Sequence, residues 1–138
     1  MARTWRFESR WPLPGPRHEV YAVLADVERY PEWWPGVRAV GRLDEQRGLV
    51  LVRSVLPLTL DLVLTSVRED PDAGVLEVAI DGDLRGWSRF TLAEDLIYEQ
   101  EVTTPKWFMN LAPRWILRLN HAAVMRAAEQ GLRARLAG

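Results

Sequence analysis

The sequence has no cysteine, which excludes structural disulfides, thiolate metal sites and a cysteine nucleophile together. Histidine occurs only at His18 and His121, too far apart in sequence for the paired spacing of a helical metal site. Lysine occurs once against seventeen arginines, a bias we read as compositional. No uninterrupted apolar run approaches the roughly 20 residues of a membrane span, so no stable membrane insertion is expected. The net charge of −1 leaves no cationic excess for phosphate neutralisation, and nucleic acid is not expected as a partner. The N-terminal MARTWRFESRW alternates from the start and lacks the apolar centre of a secretion signal, so the expected compartment is the cytoplasm. There is no Gly-rich phosphate loop and no nucleophile elbow. Gly86-Trp87-Ser88-Arg89-Phe90 misses the elbow because Phe90 stands where glycine is required, which sets Ser88 aside as a nucleophile. No cofactor is implied.

What remains is a length of 138 residues, enough to bury a substantial core as one domain spanning 1–138. Trp5, Phe7, Ser9 and Trp11 alternate with polar residues and predict a half-buried first strand. Pro12-Leu13-Pro14-Gly15-Pro16 ends it, and Pro16 suits a helix start. Val20, Tyr21, Leu24 and Ala25 have helical spacing, and a second short helical turn, Val27 to Tyr30, is expected to stop at Pro31. In Pro31-Glu32-Trp33-Trp34-Pro35-Gly36 adjacent side chains must diverge. One tryptophan is therefore expected to enter the interior while the other covers an edge, either as a plug for the core or as an aromatic pocket wall.

From Val37 to Thr104 the pattern is β throughout. Strands are predicted at Val37–Asp44, Leu49–Leu56, Thr59–Arg68, Val75–Ile80, Leu84–Leu92 and Ile97–Thr104, separated by short turns. Short strands in series imply an antiparallel meander of six strands, or seven with the first. The inward sets are Leu84, Gly86, Ser88, Phe90 and Leu92 in the fifth of these and Tyr98, Gln100 and Val102 in the last, with Glu99 and Glu101 to solvent. The third and fourth strands of the sheet leave their parity open.

A long C-terminal helix is predicted over Leu111–Leu136. At about 100° per residue, Leu117, Asn120, His121, Val124, Ala127, Ala128, Gly131 and Leu132 share one broad face, opposite Arg118, Arg126, Glu129 and Arg133. Small residues and two polar side chains on an inward face imply either close approach to the sheet or a cavity. His121 is readable as a hydrogen-bonded core residue or as the group that orients or protonates a ligand. Asn120 carries the same pair of readings. The fold class expected is α+β: a seven-stranded antiparallel curved sheet wrapped around a long C-terminal helix, with two short helices after the first strand.

Three blocks carry a family resemblance: Val20 to Asp26 followed by Glu32-Trp33-Trp34-Pro35-Gly36-Val37; Gly82-Asp83-Leu84-Arg85-Gly86; and Asn120-His121, Val124-Met125-Arg126, Gly131-Leu132 and Leu136. In that order they resemble the SRPBCC or START-like superfamily, whose fold is the helix grip of the birch-pollen allergens, and within it the bacterial polyketide cyclase/dehydrase group. Members of that group typically carry an acidic residue after the histidine, where this chain has Ala122. The resemblance implies a cavity between sheet and helix for a small hydrophobic, lipid- or polyketide-like ligand. Trp33, Trp34, Phe90, Tyr98, Trp107, Met109 and Val124 would supply its walls, with Asn120 and His121 as polar anchors. The alternative is a polyketide cyclase or dehydratase with His121 as catalytic acid/base. A homodimer is compatible with either.

Overall fold

The computed structural model describes residues 4–53, 59–104 and 113–137. Strand β1 (Thr4–Pro12) leads into helix α1 (Arg17–Ala25) and a 3-10 helix (Val27–Glu32). Six strands follow: β2 (Val37–Arg42), β3 (Arg47–Arg53), β4 (Thr59–Asp70), β5 (Val75–Gly82), β6 (Arg85–Leu92) and β7 (Asp95–Thr103). Helix α2 (Arg114–Ala137) ends the described chain. All seven strands form one antiparallel sheet in the order β1-β7-β6-β5-β4-β3-β2. The meander therefore runs from β2 to β7, and β1 adds to its far side. This is the α+β helix-grip architecture.

Two local details differ from the sequence reading. Pro16 lies just outside α1 as its N-cap, extended at φ −58°, ψ 139°, because its carbonyl accepts the first helical bonds from Glu19 and Val20. Pro31 does not stop the second helical turn but sits within it. The turn continues past it because Tyr30 O accepts from both Trp33 N and Trp34 N, bonds that need no donor at position 31. The β2–β3 turn is held by Asp44, whose carboxylate accepts from the backbone N–H groups of Gln46 and Arg47 and from the Arg47 guanidinium. These bonds, the one from the guanidinium foremost, hold its carboxyl below the usual aspartate range. At the β4–β5 turn Gly74 adopts φ +71°, a conformation open to glycine at no steric cost.

The core has two parts. One gathers Trp11, Val20, Leu24, Trp33, Leu92 and Leu132 beneath the C-terminal half of α2. The other is Trp5, Leu62, Ile80, Val102 and Leu117 beneath its N-terminal half. The inward parity of the two uncertain strands is resolved by the pairing. Val50 faces Leu62 and Val52 faces Leu60 across β3 and β4, and all four line the concave side. Helix α2 grips the fold at its C-terminal end, but not against the sheet as the small residues had suggested. Gly131 packs on the backbone of Trp33, so closely that a Cβ there would overlap the Trp33 carbonyl oxygen.

Candidate functional site

Between the concave face of the sheet and α2 lies a cavity of about 230 Å³. Its walls are mostly apolar, drawn from all seven strands except that β2 contributes only Val37, and its α2 side is Leu117, Asn120, His121, Val124 and Met125. The helix spacing of these five places them on one stripe, which is why the sequence reading could group four of them.

The polar content of the cavity follows from strand register. Gln100 in β7 lies opposite Phe7 in β1 and Ser88 in β6, and Ser88 lies opposite Val78 in β5, which faces Ser66 in β4. A single row across the sheet thus presents Phe7, Gln100, Ser88, Val78 and Ser66 to the cavity. His121 reaches down onto this row. Its imidazole stacks on the Phe7 ring at 3.7 Å between centroids and 10° between planes. Its Nε2 lies 2.9 Å from Gln100 Oε1. With Nε2–H donating to that oxygen, Nδ1 is left as an acceptor. Burial disfavours the charged ring and pushes the His121 pKa down to about 4, so the imidazole is neutral at neutral pH.

One step along β7, Tyr98 packs on Phe90 at 4.8 Å and on Trp34 at 6.4 Å between centroids. Burial raises the Tyr98 pKa to about 12, opposed by the hydrogen bond with Ser88. It is therefore a protonated phenol at every ordinary pH. Tyr30 is also pushed up by burial, with lesser contributions from Tyr98 and Asp26, and its hydroxyl donates to Leu24 O.

Trp34, Phe90, Tyr98, Asn120, His121 and Val124 all line this cavity. Trp33 does not. The expectation that one tryptophan of the pair covers an edge is also corrected, because Trp33 and Trp34 are 5% and 9% exposed. They stack at 5.5 Å, and helix α2 closes over Trp33 at Gly131. Trp33 borders instead a small hollow with Ala22, Val23, Asp26, Arg29 and Arg135. Both indole Nε1 groups are buried without a hydrogen-bond partner among the described residues. Trp107 and Met109 lie outside the described residues. Glu99 and Glu101 face outward with Arg6 and Arg89, and Trp87 lies on that same convex face between the two guanidiniums.

Gln100, Ser88 and Phe7 were not singled out as site residues from sequence. Gln100 and Ser88 did carry a signal, since each is a polar residue at an inward position of an otherwise apolar alternating strand. Among the described residues, no three of His, Asp and Glu gather closely enough to hold a metal ion.

Residues 13–125 match the family described as polyketide cyclase / dehydrase and lipid transport. The chain belongs to this family. Several solved structures share the fold at low identity. The Zhui aromatase/cyclase from Streptomyces sp. R1128 superposes with a TM-score of 0.72 at 16% identity, over 98% of this chain and 93% of that one. A Thermus thermophilus protein, TTHA0849, gives 0.70 at 15% identity, over 96% of each. A START superfamily protein from Mycobacterium smegmatis gives 0.67 at 11% identity, over 96% and 95%. At these identities the likeness is one of fold. No curated protein matches the chain in sequence. For this polyketide cyclase/dehydrase family member, no described helix is long and apolar enough to cross a membrane.

Proposed function

We propose that this family member binds a compact hydrophobic ligand, lipid- or polyketide-like, in the cavity between sheet and helix. The observation that carries this is the cavity itself: about 230 Å³ of space with a predominantly apolar lining, bordered by residues of both core clusters. Native interiors are close-packed, so an apolar space this size is held open by the span of the sheet and the grip of α2. Its volume is just under the roughly 300–1,000 Å³ usual for pockets that hold drug-sized molecules, which favours a compact ligand over a long-chain one. Burying about 200 Å² of apolar ligand surface would contribute roughly 5 kcal/mol before association costs. Gln100 and Ser88 of the polar row and the hydroxyl of the neighbouring Tyr98, with Asn120 and His121 opposite, support orientation of one polar group on such a ligand.

The cyclase or dehydratase alternative rests on His121 as acid/base. A pKa near 4 makes the ring a poor base and an uncharged donor at neutral pH, since general catalysis is most effective with a pKa near the working pH. The same burial suits a neutral hydrogen-bonding anchor. Binding without turnover is therefore the better-supported reading.

Native mass spectrometry of the purified protein tests it. A co-purified apolar molecule displaced by filling the cavity is the expected result. A protein that is ligand-free and takes up neither a fatty acid nor a fluorescent apolar probe would overturn the proposal.

A further inference from the structure

Helix α2 has a second face, which the cavity does not use. Trp115 and Leu119 are one turn apart and are 65% and 63% exposed. Arg118, Ala122 and Arg126 complete that face and are exposed as well. Between Arg114 and Arg126 the helix carries three arginines and no acidic residue, in a protein whose net charge is −1. Arg114 is engaged, donating to Thr4 O and lying over the Trp5 ring. Arg118 and Arg126 make no ion pair among the described residues, although the outer sheet face pairs most of its arginines. The first acid on this side of the helix is Glu129, bound to Arg133.

We propose that this face of α2 docks on an anionic membrane surface, with Trp115 and Leu119 entering the headgroup boundary and Arg118 and Arg126 contacting lipid phosphates. An exposed aromatic and an aliphatic side chain one turn apart, flanked by unpaired arginines, match the pattern of an interfacial helix. The charge complementarity favours an acidic surface over a neutral one. The same helix presents Leu117, Asn120, His121 and Val124 to the cavity on its other face, so a docked α2 would stand between bilayer and cavity. The inference does not depend on what the cavity holds.

Co-sedimentation with vesicles tests it, comparing phosphatidylcholine containing phosphatidylglycerol with phosphatidylcholine alone. The wild-type protein should sediment with the anionic vesicles, and less so as salt is added. Arg118→Gln and Arg126→Gln should each weaken binding about fivefold. Trp115→Ala with Leu119→Ala should weaken it roughly tenfold or more. Because all four side chains are exposed, thermal midpoints and far-ultraviolet spectra should match the wild type. Equal binding to both vesicle types, or to neither, would overturn the proposal. So would a concentration-dependent dimer dissolved by Trp115→Ala with Leu119→Ala, which would assign the face to a second copy of the chain.

Discussion

Gly131 of α2 sits directly against the carbonyl of Trp33, leaving no room for a Cβ. The obstructing atom is backbone, so the strain of a larger residue cannot be relieved by a rotamer change. Gly131→Ala improves intrinsic helix propensity by about 1 kcal/mol, and on an exposed helix it would stabilise. Here overpacking should outweigh that gain and give a net loss of about 2 kcal/mol. Chemical denaturation of the variant reads the sign directly: a midpoint at or above wild type would mean the close approach is absent in solution.

His121 links stability to pH. Its folded-state pKa lies near 4 against an ordinary 6.5, so the unfolded chain binds the proton more readily. Stability from this group is complete above pH 6.5 and falls as the pH drops toward 4. The depression corresponds to on the order of 3 kcal/mol over that window. His121→Gln, which cannot charge, should show a flatter stability profile between those limits. Comparing the two proteins removes the carboxylate contribution common to both. Parallel profiles for variant and wild type would show that His121 is not desolvated.

The architecture was legible because β1, β6 and β7 each bury one face, so period-2 alternation reports orientation. Trp5, Phe90 and Tyr98 were readable as inward on that ground. Strand β3 was not, because Leu49-Val50-Leu51-Val52 is apolar at every position and alternation carries no signal there, whereas in β4 Leu60, Leu62 and Leu64 do alternate with Asp61, Val63 and Thr65. The helix stripe containing Asn120 and His121 was equally clear. Its partners were not, because Phe7 and Gln100 stand side by side through the pairing of the first and last strands, and His121 meets them from a third element. No local pattern encodes that register. The placement of Trp33 and Trp34 failed for a related reason: a corner between prolines has no periodicity, and both rings are buried because α2 closes over one while the sheet receives the other.

On the convex face Arg89 bridges Glu77 and Glu99 at 3.1 and 3.0 Å and lies over Trp87, 5.0 Å from the ring centroid. Its pKa is raised, chiefly by the hydrogen bond to Glu99. Isolated surface pairs contribute little, but a guanidinium shared by two carboxylates and a ring is a network. Arg89→Ala should cost about 1 kcal/mol at low salt, with the difference shrinking as salt is added. Arg89→Lys should recover only part, since an ammonium cannot present the planar fork to both carboxylates. Urea titrations at two ionic strengths measure this, and a salt-independent loss would assign the effect to packing on Trp87.

The cavity can be filled from its floor. Val78 is half-buried and lies between Ser66 and Ser88 in the polar row, with its side chain lining the open space. A larger ring there occupies volume that is already vacant, so Val78→Phe should change the unfolding free energy by less than about 1.5 kcal/mol. Ligand uptake should fall roughly tenfold or more, because the lost volume is taken from the part of the site that contacts an apolar ligand. Gln100→Leu makes the complementary change. It leaves the volume nearly intact but removes the acceptor for His121, and should weaken polar ligands while sparing purely apolar ones. Titration of both variants with a fluorescent apolar probe separates shape from polarity. Unchanged uptake by Val78→Phe would place the ligand elsewhere on the molecule.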